Sequence, residues 1–313
     1  MHEYTNGMCP DHGIASRPLS WSDLLKPSMR THTEPKPIGN KPIVIKLGGA
    51  LLDEPAQNAA FFHTLANFMQ HDHQVVLVHG GGKSVDRHLQ LLGHTSQKRD
   101  GIRITPPEHM REIAGVLAGQ LNARLVGLLR ARGVNAVGLT LADGATTTAR
   151  KSEKFSFDAG RVGEITGGDP NLIQTLLRNG YAPIFSSIAM DDAGELLNIK
   201  ADEAAAAIAR IVSARLLVLL TDVAGVKDGA GNIISSLDCA GVERLTNSGA
   251  ITGGMIAKVR SALEASEQSG VATLVASWND ANIADALRNS GSETAVGTLF
   301  LPSKHLCEIG ERS

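Results

Sequence analysis

Pro42-Ile-Val-Ile-Lys46-Leu-Gly-Gly49 and, further on, Gln74-Val-Val-Leu-Val78-His-Gly-Gly-Gly82 are two versions of one pattern. Each is a short aliphatic run without polar alternation, as expected of a strand buried on both faces of a parallel sheet. Each ends in glycines, and each is followed by a stretch that reads as helix, the first at roughly Pro55–Gln70. Buried strand, glycine turn and helix, repeated, predict an α/β fold with crossover helices. Further strands of this kind are Pro183-Ile-Phe185, Leu216–Leu220, Ala272–Ala276 and Gly297–Leu301. Between the second strand and these, Arg99-Asp-Gly-Ile-Arg103 carries a hairpin signal. Ile113, Leu117, Leu121, Leu125 and Leu128 then recur at helical spacing, which predicts a helix with one core-facing stripe.

The rest of the 313-residue chain limits what such a fold could be for. Thirty Lys and Arg stand against thirty-two Asp and Glu, so no dominant basic footprint exists for nucleic acid or an anionic membrane. No apolar run approaches the roughly 18–20 residues that span a bilayer. Met1–Pro10 lacks the apolar core of a secretory signal. Cys9, Cys239 and Cys307 are odd in number and far apart, which argues against a disulfide framework and for a cytoplasmic setting. Half of the twelve prolines fall within the first 42 positions, and residues 1–40 show no apolar period, so a disordered extension is expected there.

The chemistry-bearing residues cluster at the glycine turns. Gly82-Lys83-Ser84 ends like a P-loop, but the first glycine of that motif would fall on Leu77, inside the strand. A dinucleotide fingerprint starting at Gly80 fails likewise, because Val85 stands where its last glycine is needed. What remains at Gly80–Gly82 is a set of backbone N–H groups at a helix N-terminus, suited to an anion or simply to a tight turn. In a parallel sheet the turn at Gly48-Gly49 would reach the same edge, where α/β folds bind ligands. Lys46 ends an apolar strand, so it needs either a partner or a route to water. A third glycine cluster, Gly249-Ala-Ile-Thr-Gly-Gly-Met-Ile-Ala-Lys258, precedes a helix and puts Lys258 near its N-terminal end. A cation there opposes the helix dipole unless a bound phosphate reverses the penalty. Asp202 precedes an alanine-rich helix, read as Glu203–Arg210. It could cap that helix or fix the ammonium groups of Lys46 and Lys258. Leu219-Leu-Thr-Asp-Val-Ala-Gly-Val226 is a buried strand running into another turn. His71-Asp-His73 and Cys9-Pro-Asp-His12 each lack a second ligand pair, so no metal site is expected. No nucleophilic Ser or Cys with a base partner is visible.

Taken in order, Lys46-Leu-Gly-Gly49, His79-Gly-Gly-Gly82, Asp100-Gly-Ile-Arg-Ile-Thr105, Asn198-Ile-Lys-Ala-Asp202, Thr221-Asp-Val-Ala-Gly225 and Gly253-Gly-Met-Ile-Ala-Lys258 resemble the amino acid kinase family over essentially all of 41–301. Within it the resemblance is to the branch that phosphorylates N-acetyl-L-glutamate. It implies a three-layer sandwich around an open, mainly parallel sheet, with two lobes: 41–195 for the amino-acid substrate and 196–313 for ATP. The implied reaction is transfer of a phosphoryl group from MgATP to the side-chain carboxylate of N-acetyl-L-glutamate, a step of arginine biosynthesis, with the metal held mainly by the phosphates. Carried over by position, Lys46, Lys258 and Asp202 would be catalytic, Asp202 organising both lysines. Gly81, Gly82, Arg103 and Asn198 would hold the substrate. Gly48, Gly49, Thr221, Asp222, Val223, Gly225, Val226, Lys227, Ile251, Thr252, Gly253 and Gly254 would meet the nucleotide.

Such a reaction suits the residues present. A carboxylate is ionised at neutral pH and needs no general base, so alignment and charge neutralisation suffice. Lys200 and Lys227 depart from the family pattern, the first adding a cation near the expected site. The Pro-rich segment 1–40 does not resemble the N-terminal helix of arginine-inhibited hexameric members, whereas Leu47 and Ala276-Ser-Trp278 resemble the arginine-insensitive type. A homodimer without arginine feedback is the corresponding expectation. The rival expectations are a kinase for another acid (glutamate, aspartate or an aminoadipate derivative), a non-catalytic sensor on the same fold, and a P-loop NTPase using Lys83.

Overall fold

A computed structural model describes residues 41–53, 55–71, 74–99, 101–251, 253–289 and 296–303. The segment 1–40, Asp100, Thr252, His73 and two of the three cysteines lie outside the described residues. In chain order the strands are β1 (Ile43–Leu47), β2 (Val75–His79), β3 (Lys98–Arg99), β4 (Ile102–Arg103), β5 (Ala136–Thr140), β6 (Thr148–Lys151), β7 (Gly163–Gly167), β8 (Ala182–Ser186), β9 (Ile188–Met190), β10 (Leu196–Asn198), β11 (Leu216–Thr221), β12 (Ser236–Leu237), β13 (Thr273–Ser277) and β14 (Thr298–Phe300). The helices are α1 (Gly49–Asp53), α2 (Ala59–Gln70), α3 (Gly82–Leu91), α4 (Pro107–Ala114), α5 (Asn122–Arg130), α6 (Asn171–Arg178), α7 (Ala201–Ile211), α8 (Cys239–Asn247), α9 (Gly254–Ser269) and α10 (Ile283–Arg288). A wider π-helical stretch, Gly115–Leu121, joins α4 to α5.

Eight strands form one sheet in the order β12-β14-β13-β11-β1-β2-β8-β5. The pairs from β13 to β5 are parallel, and only β13–β14 reverses direction. The α/β expectation therefore holds, including a mainly parallel sheet. The chain runs from β1 outward on one side through β2, and later returns to the other side through β11. The C-terminal end of β1 is thus the point where the winding reverses, where open α/β sheets leave a crevice. Positions before β11 build one half of the sheet and later positions the other, with β1 between them.

Strand alternation decides which helix each side chain meets. Ile43, Ile45 and Leu47 are buried with Phe62, Leu65, Leu125 and Leu129 in one layer. Val44, one residue out of phase, is buried with the alanine run of α7 and with Val259 and Ala262 of α9 in the other. Lys46 shares the parity of Val44, so it emerges toward α7 and α9. Its charged head is thereby delivered to the layer that carries Asp202 and Lys258.

Three local expectations need correction. The helix read over Pro55–Gln70 starts only at Ala59, as α2: residues 55–58 form a turn that separates it from the short preceding α1, and the Asn58 amide donates back to the Leu51 carbonyl at 3.3 Å. The apolar stripe continues at Leu129 instead of Leu128, following the i+4 steps Leu121, Leu125, Leu129, all buried. The alanine-rich helix begins at Ala201 with Lys200 at its cap position, so Asp202 lies inside the first turn and makes no capping bond. The Arg99–Arg103 hairpin forms as expected, with Lys98 opposite Arg103 and Gly101 at a φ of +77°.

Candidate active site

The two glycine turns meet. A Cβ at Gly49 would lie 3.7 Å from the Gly82 nitrogen, so the ends of β1 and β2 form one continuous backbone surface. Gly81 is required by a close approach: a Cβ there would overlap Leu121 and touch Leu117 of the π-helical stretch at 3.0 Å. At Gly48 a Cβ would stand 3.1 Å from the Leu220 carbonyl, a tight contact against β11.

Two adjoining cavities open at this edge. The first, about 290 Å³, is lined by Gly80–Gly82, Arg103, Asn198, Ser187 and the apolar Val85, Ile113, Leu117 and Phe155. Three expectations about placement can be read off it: Gly81 and Gly82, Arg103, and Asn198 are all in its wall. Arg103 forms an ion pair with Asp86, donates to Ser96, and donates through Nη2 to the Gly82 carbonyl at 2.9 Å. Partial burial would raise the Asp86 carboxyl, but hydrogen bonds from Arg103, Lys98 and Ser96 hold it well below the usual carboxylate range. The guanidinium is thus tied both to α3 and to the glycine turn. Asn198 donates to the Thr105 hydroxyl at 3.1 Å, fixing its amide at the opposite wall.

The second cavity, about 340 Å³, is lined by Lys46, Lys200, Asp202, Thr221, Lys258 and Ser261 together with apolar groups. Three lysines face one carboxylate there, an excess of positive charge suited to phosphates. Lys46 is 2.9 Å from Asp202, with side chains only 19% and 24% exposed. Burial works to raise the Asp202 carboxyl, yet the charge and hydrogen bond of Lys46, with Lys200, keep it below its ordinary value. A carboxylate in the first turn of α7 is further favoured by the helix dipole.

The expectation that Asp202 organises both lysines is corrected by the geometry. Lys258 pairs instead with Asp222 at 3.0 Å, and both side chains are exposed, 45% and 65%. Lys258 lies on the second turn of α9, beside the turn that follows β11, which places Asp222 within its reach. The remaining residues expected at the nucleotide divide into groups. Thr221 lines the cavity and donates to Asp222 at 2.9 Å. Val226 and Ile251 are core side chains. The Val226 N–H donates to Thr298 at 2.8 Å and its carbonyl accepts from Ile234, so this residue supports the turn from below. Gly225, at a φ of +153°, packs against Thr298 and Ile233. Val223 is half-buried, Lys227 exposed, and Gly253, at a φ of +53°, starts α9 next to Gly254. Lys83 is exposed and belongs to neither cavity wall.

Some wall residues carried no sequence signal. Glu203 lines the first cavity, where burial pushes its carboxyl up against the opposing charges of Lys154 and Lys200. Lys154 lies 3.2 Å from Glu164 and 3.9 Å from Glu203, linking the β6–β7 hairpin to α7. The β3–β4 hairpin reaches the loop that carries Phe155, where Arg99 lies 4.5 Å over the Phe157 ring. Among the described residues no group of three His, Cys, Asp or Glu side chains is placed to hold a metal ion, and no helix is long and apolar enough to cross a membrane.

Comparison with known proteins identifies the setting of this geometry. Residues 41–277 match the model of the amino acid kinase family. An acetylglutamate kinase from Shewanella sp. (strain W3-18-1) is 44% identical over 264 residues, covering 84% of this chain and 98% of that protein. Among solved structures, N-acetylglutamate synthase from Neisseria gonorrhoeae, complexed with coenzyme A and N-acetyl-glutamate, superposes with a TM-score of 0.70 at 22% identity. That match covers 85% of this chain and 60% of the synthase. Carbamate kinase from Giardia lamblia bound to AMP-PNP gives a TM-score of 0.57 at 18% identity, covering 85% of this chain and 99% of the other. These two likenesses are of fold.

Proposed function

Since the chain belongs to the amino acid kinase family, we propose that it transfers the γ-phosphoryl group of ATP to the side-chain carboxylate of N-acetyl-L-glutamate, a step of arginine biosynthesis. The observation that carries this reading is the pair of adjoining cavities. One offers a guanidinium, an amide and backbone donors beside an apolar wall, and the other is walled by lysines.

In this reading the first cavity takes the acceptor. Arg103 and Asn198 hold its α-carboxylate and neighbouring polar groups, and the apolar wall takes its methylenes and methyl. The N–H groups of Gly81 and Gly82, at the start of α3, face the reacting carboxylate. That carboxylate attacks without a base, being ionised at neutral pH. The second cavity takes the triphosphate, with Lys46 and Lys258 neutralising charge that spreads over the transferring phosphoryl oxygens. Asp202 holds the Lys46 ammonium in place and charged. The turn Thr221–Lys227 and Gly253-Gly254 flank the nucleotide, and Gly48-Gly49 approaches its phosphates; Thr252 would belong to this set. Mg²⁺, which supplies further charge neutralisation when bound, would enter on the phosphates, since Asp202 and Asp222 are each engaged by a lysine. The half of the sheet before β11 would act as acceptor lobe and the later half as nucleotide lobe. A cytoplasmic homodimer insensitive to arginine completes the reading; sedimentation as a hexamer, or inhibition by millimolar arginine, would count against it.

The test is ADP release with MgATP and a panel of N-acetyl-L-glutamate, glutamate, aspartate and N-acetylaminoadipate, with hydroxylamine trapping acyl phosphate as hydroxamate. Hydroxamate with N-acetyl-L-glutamate alone is the expected result. Hydroxamate with a different acid would reassign the acceptor while keeping the chemistry. None from folded protein would remove the kinase reading.

A further inference from the structure

Lys200 is the one charged side chain, among the described residues, that lines both cavities. Arg103, Lys98 and Glu203 belong to the first wall alone, and Lys46, Lys258 and Asp202 to the second alone. With Gly101 and Ile102 of the β3–β4 hairpin, Lys200 forms the boundary the two share. A phosphoryl group leaving one cavity for an acceptor in the other must pass that boundary.

We propose that Lys200 is a third catalytic lysine, contacting the phosphoryl group in transit between the nucleotide and the acceptor carboxylate. This rests on the phosphoryl-transfer reading above. Its ammonium donates to the Ser261 hydroxyl at 3.2 Å, and Ser261 donates to Asp202 Oδ2 at 3.4 Å. Lys46 grips the other oxygen of the same carboxylate at 2.9 Å. Asp202 therefore anchors two ammonium groups, Lys46 directly and Lys200 through a hydroxyl, one inside the second cavity and one at its mouth. The charges of Asp202 and Glu203 favour Lys200 at this position, but its place relative to α7 does not. It stands at the cap position of α7, where a cation opposes the helix dipole and where its side chain satisfies no backbone N–H. A negatively charged group moving through the boundary reverses that penalty. Because charge at the transferring group is shared with donor and acceptor oxygens in passing, a cation at the midpoint stabilises the transition state more than either bound substrate.

The experiment compares wild type, Lys200→Met, Lys200→Arg and the exposed control Lys83→Ala, by hydroxamate rate at saturating MgATP and N-acetyl-L-glutamate. The Lys200→Met change is expected to lower kcat about 10–100-fold while each KM stays within about threefold, the behaviour of an interaction made in the transition state. Lys200→Arg should recover at least about a third of kcat, since it restores the charge. A second readout is binding of aluminium fluoride with MgADP and N-acetyl-L-glutamate, which mimics the transferring group: Lys200→Met should lose this complex while retaining MgADP. A Lys200→Met kcat within twofold of wild type overturns the proposal, as does a loss confined to KM or an equal loss in the Met and Arg variants. Absence of hydroxamate from wild type would overturn the parent reading as well, and so is distinguishable from an active enzyme indifferent to Lys200.

Discussion

Lys46 and Lys258 face one cavity from its two sides, yet the protein holds them in opposite ways. Lys46 lies at the end of a central strand, its side chain is mostly buried, and its carboxylate partner is mostly shielded from water. Lys258 lies on a helix surface and pairs with a carboxylate that is itself two-thirds exposed. An ion pair of the first kind is strongly oriented, and losing one member leaves a poorly solvated charge. A pair of the second kind contributes little and exchanges readily with water. The Lys46–Asp202 pair is therefore preset by the fold, whereas the exposed Lys258–Asp222 pair would leave Lys258 able to exchange Asp222 for a phosphate under the proposed reading.

The sharpest way to break this contrast is substitution of each lysine and of its partner. Lys46→Ala and Asp202→Asn should each lower kcat about 10²–10³-fold in the hydroxamate assay, the scale of removing a preorganised charge contact. Asp202→Asn should also cost about 1–3 kcal/mol in urea denaturation, less than a fully buried pair because both side chains keep some exposure. Lys258→Ala should lower kcat comparably while leaving stability within about 0.5 kcal/mol. If Lys46→Ala and Lys258→Ala destabilise equally, the distinction between a preset and a recruited lysine fails.

The strand ends carry the same asymmetry into pH dependence. β11 ends in half-buried Thr221, while β2 ends in fully buried His79 beneath the acceptor turn. The neutral imidazole donates from Nδ1 to the Gly80 carbonyl at 3.1 Å, and Nε2 is buried without a partner among the described residues. Burial pushes its pKa down to about 4, against the raising effect of that hydrogen bond. An unfolded histidine titrates near about 6.5, so between these values the unfolded chain binds more protons than the folded one. Stability is therefore lost as pH falls from about 6.5 toward 4, by about 3 kcal/mol in total. Asp86 and Asp202, whose pKa values lie below the ordinary range, withdraw their contributions only at lower pH. Urea midpoints at pH 7.5, 6 and 5 should show a slope that His79→Asn flattens. Equal slopes in both proteins would place the dependence elsewhere.

Gly81 offers a smaller effect on the same side. Alanine there must displace Leu121, so Gly81→Ala should cost about 1–3 kcal/mol and raise KM for the acid by moving the cavity wall. Gly49→Ala meets only an ordinary contact with the Gly82 nitrogen and should be milder in stability. A reversed ranking in thermal melts would mean that the turn relaxes away from Leu121.

Much of this was legible along the chain, for reasons that also mark where legibility ended. Unalternating aliphatic runs closed by glycine identify buried parallel strands, and parallel neighbours must deliver their turns to one edge, so the meeting of Gly49 and Gly82 follows from local pattern. The parity of Lys46 with Val44 selects its layer. Which carboxylate meets which lysine is a different matter, because it depends on how far α9 sits along the sheet. Asp202 is within reach of Lys46, while Lys258, one helix away, finds Asp222 on the turn after β11. Lys200 was visible only as an extra cation. Its position in two walls needs the β3–β4 hairpin, which is distant in sequence, to fold over the start of α7. The cap reading of Asp202 failed through a two-residue shift of the helix start, the kind of boundary that propensity leaves open.

The smallest effect sharpens the comparison most, because it isolates the recruited lysine from its resting partner. Asp222→Asn removes the charge that holds Lys258 in the absence of nucleotide but leaves a side chain able to accept from Thr221. Stability should change by less than about 0.5 kcal/mol, since both members of the pair are exposed. If Lys258 must leave Asp222 to reach a phosphate, freeing it lowers the cost of nucleotide binding, and KM for MgATP should fall about two- to threefold with kcat nearly unchanged. The gain should shrink at high salt, where an exposed pair is already screened. A rise in KM for MgATP would instead make Asp222 a part of the bound state, and Lys258 would then be held in both states by the same carboxylate, much as Asp202 holds Lys46.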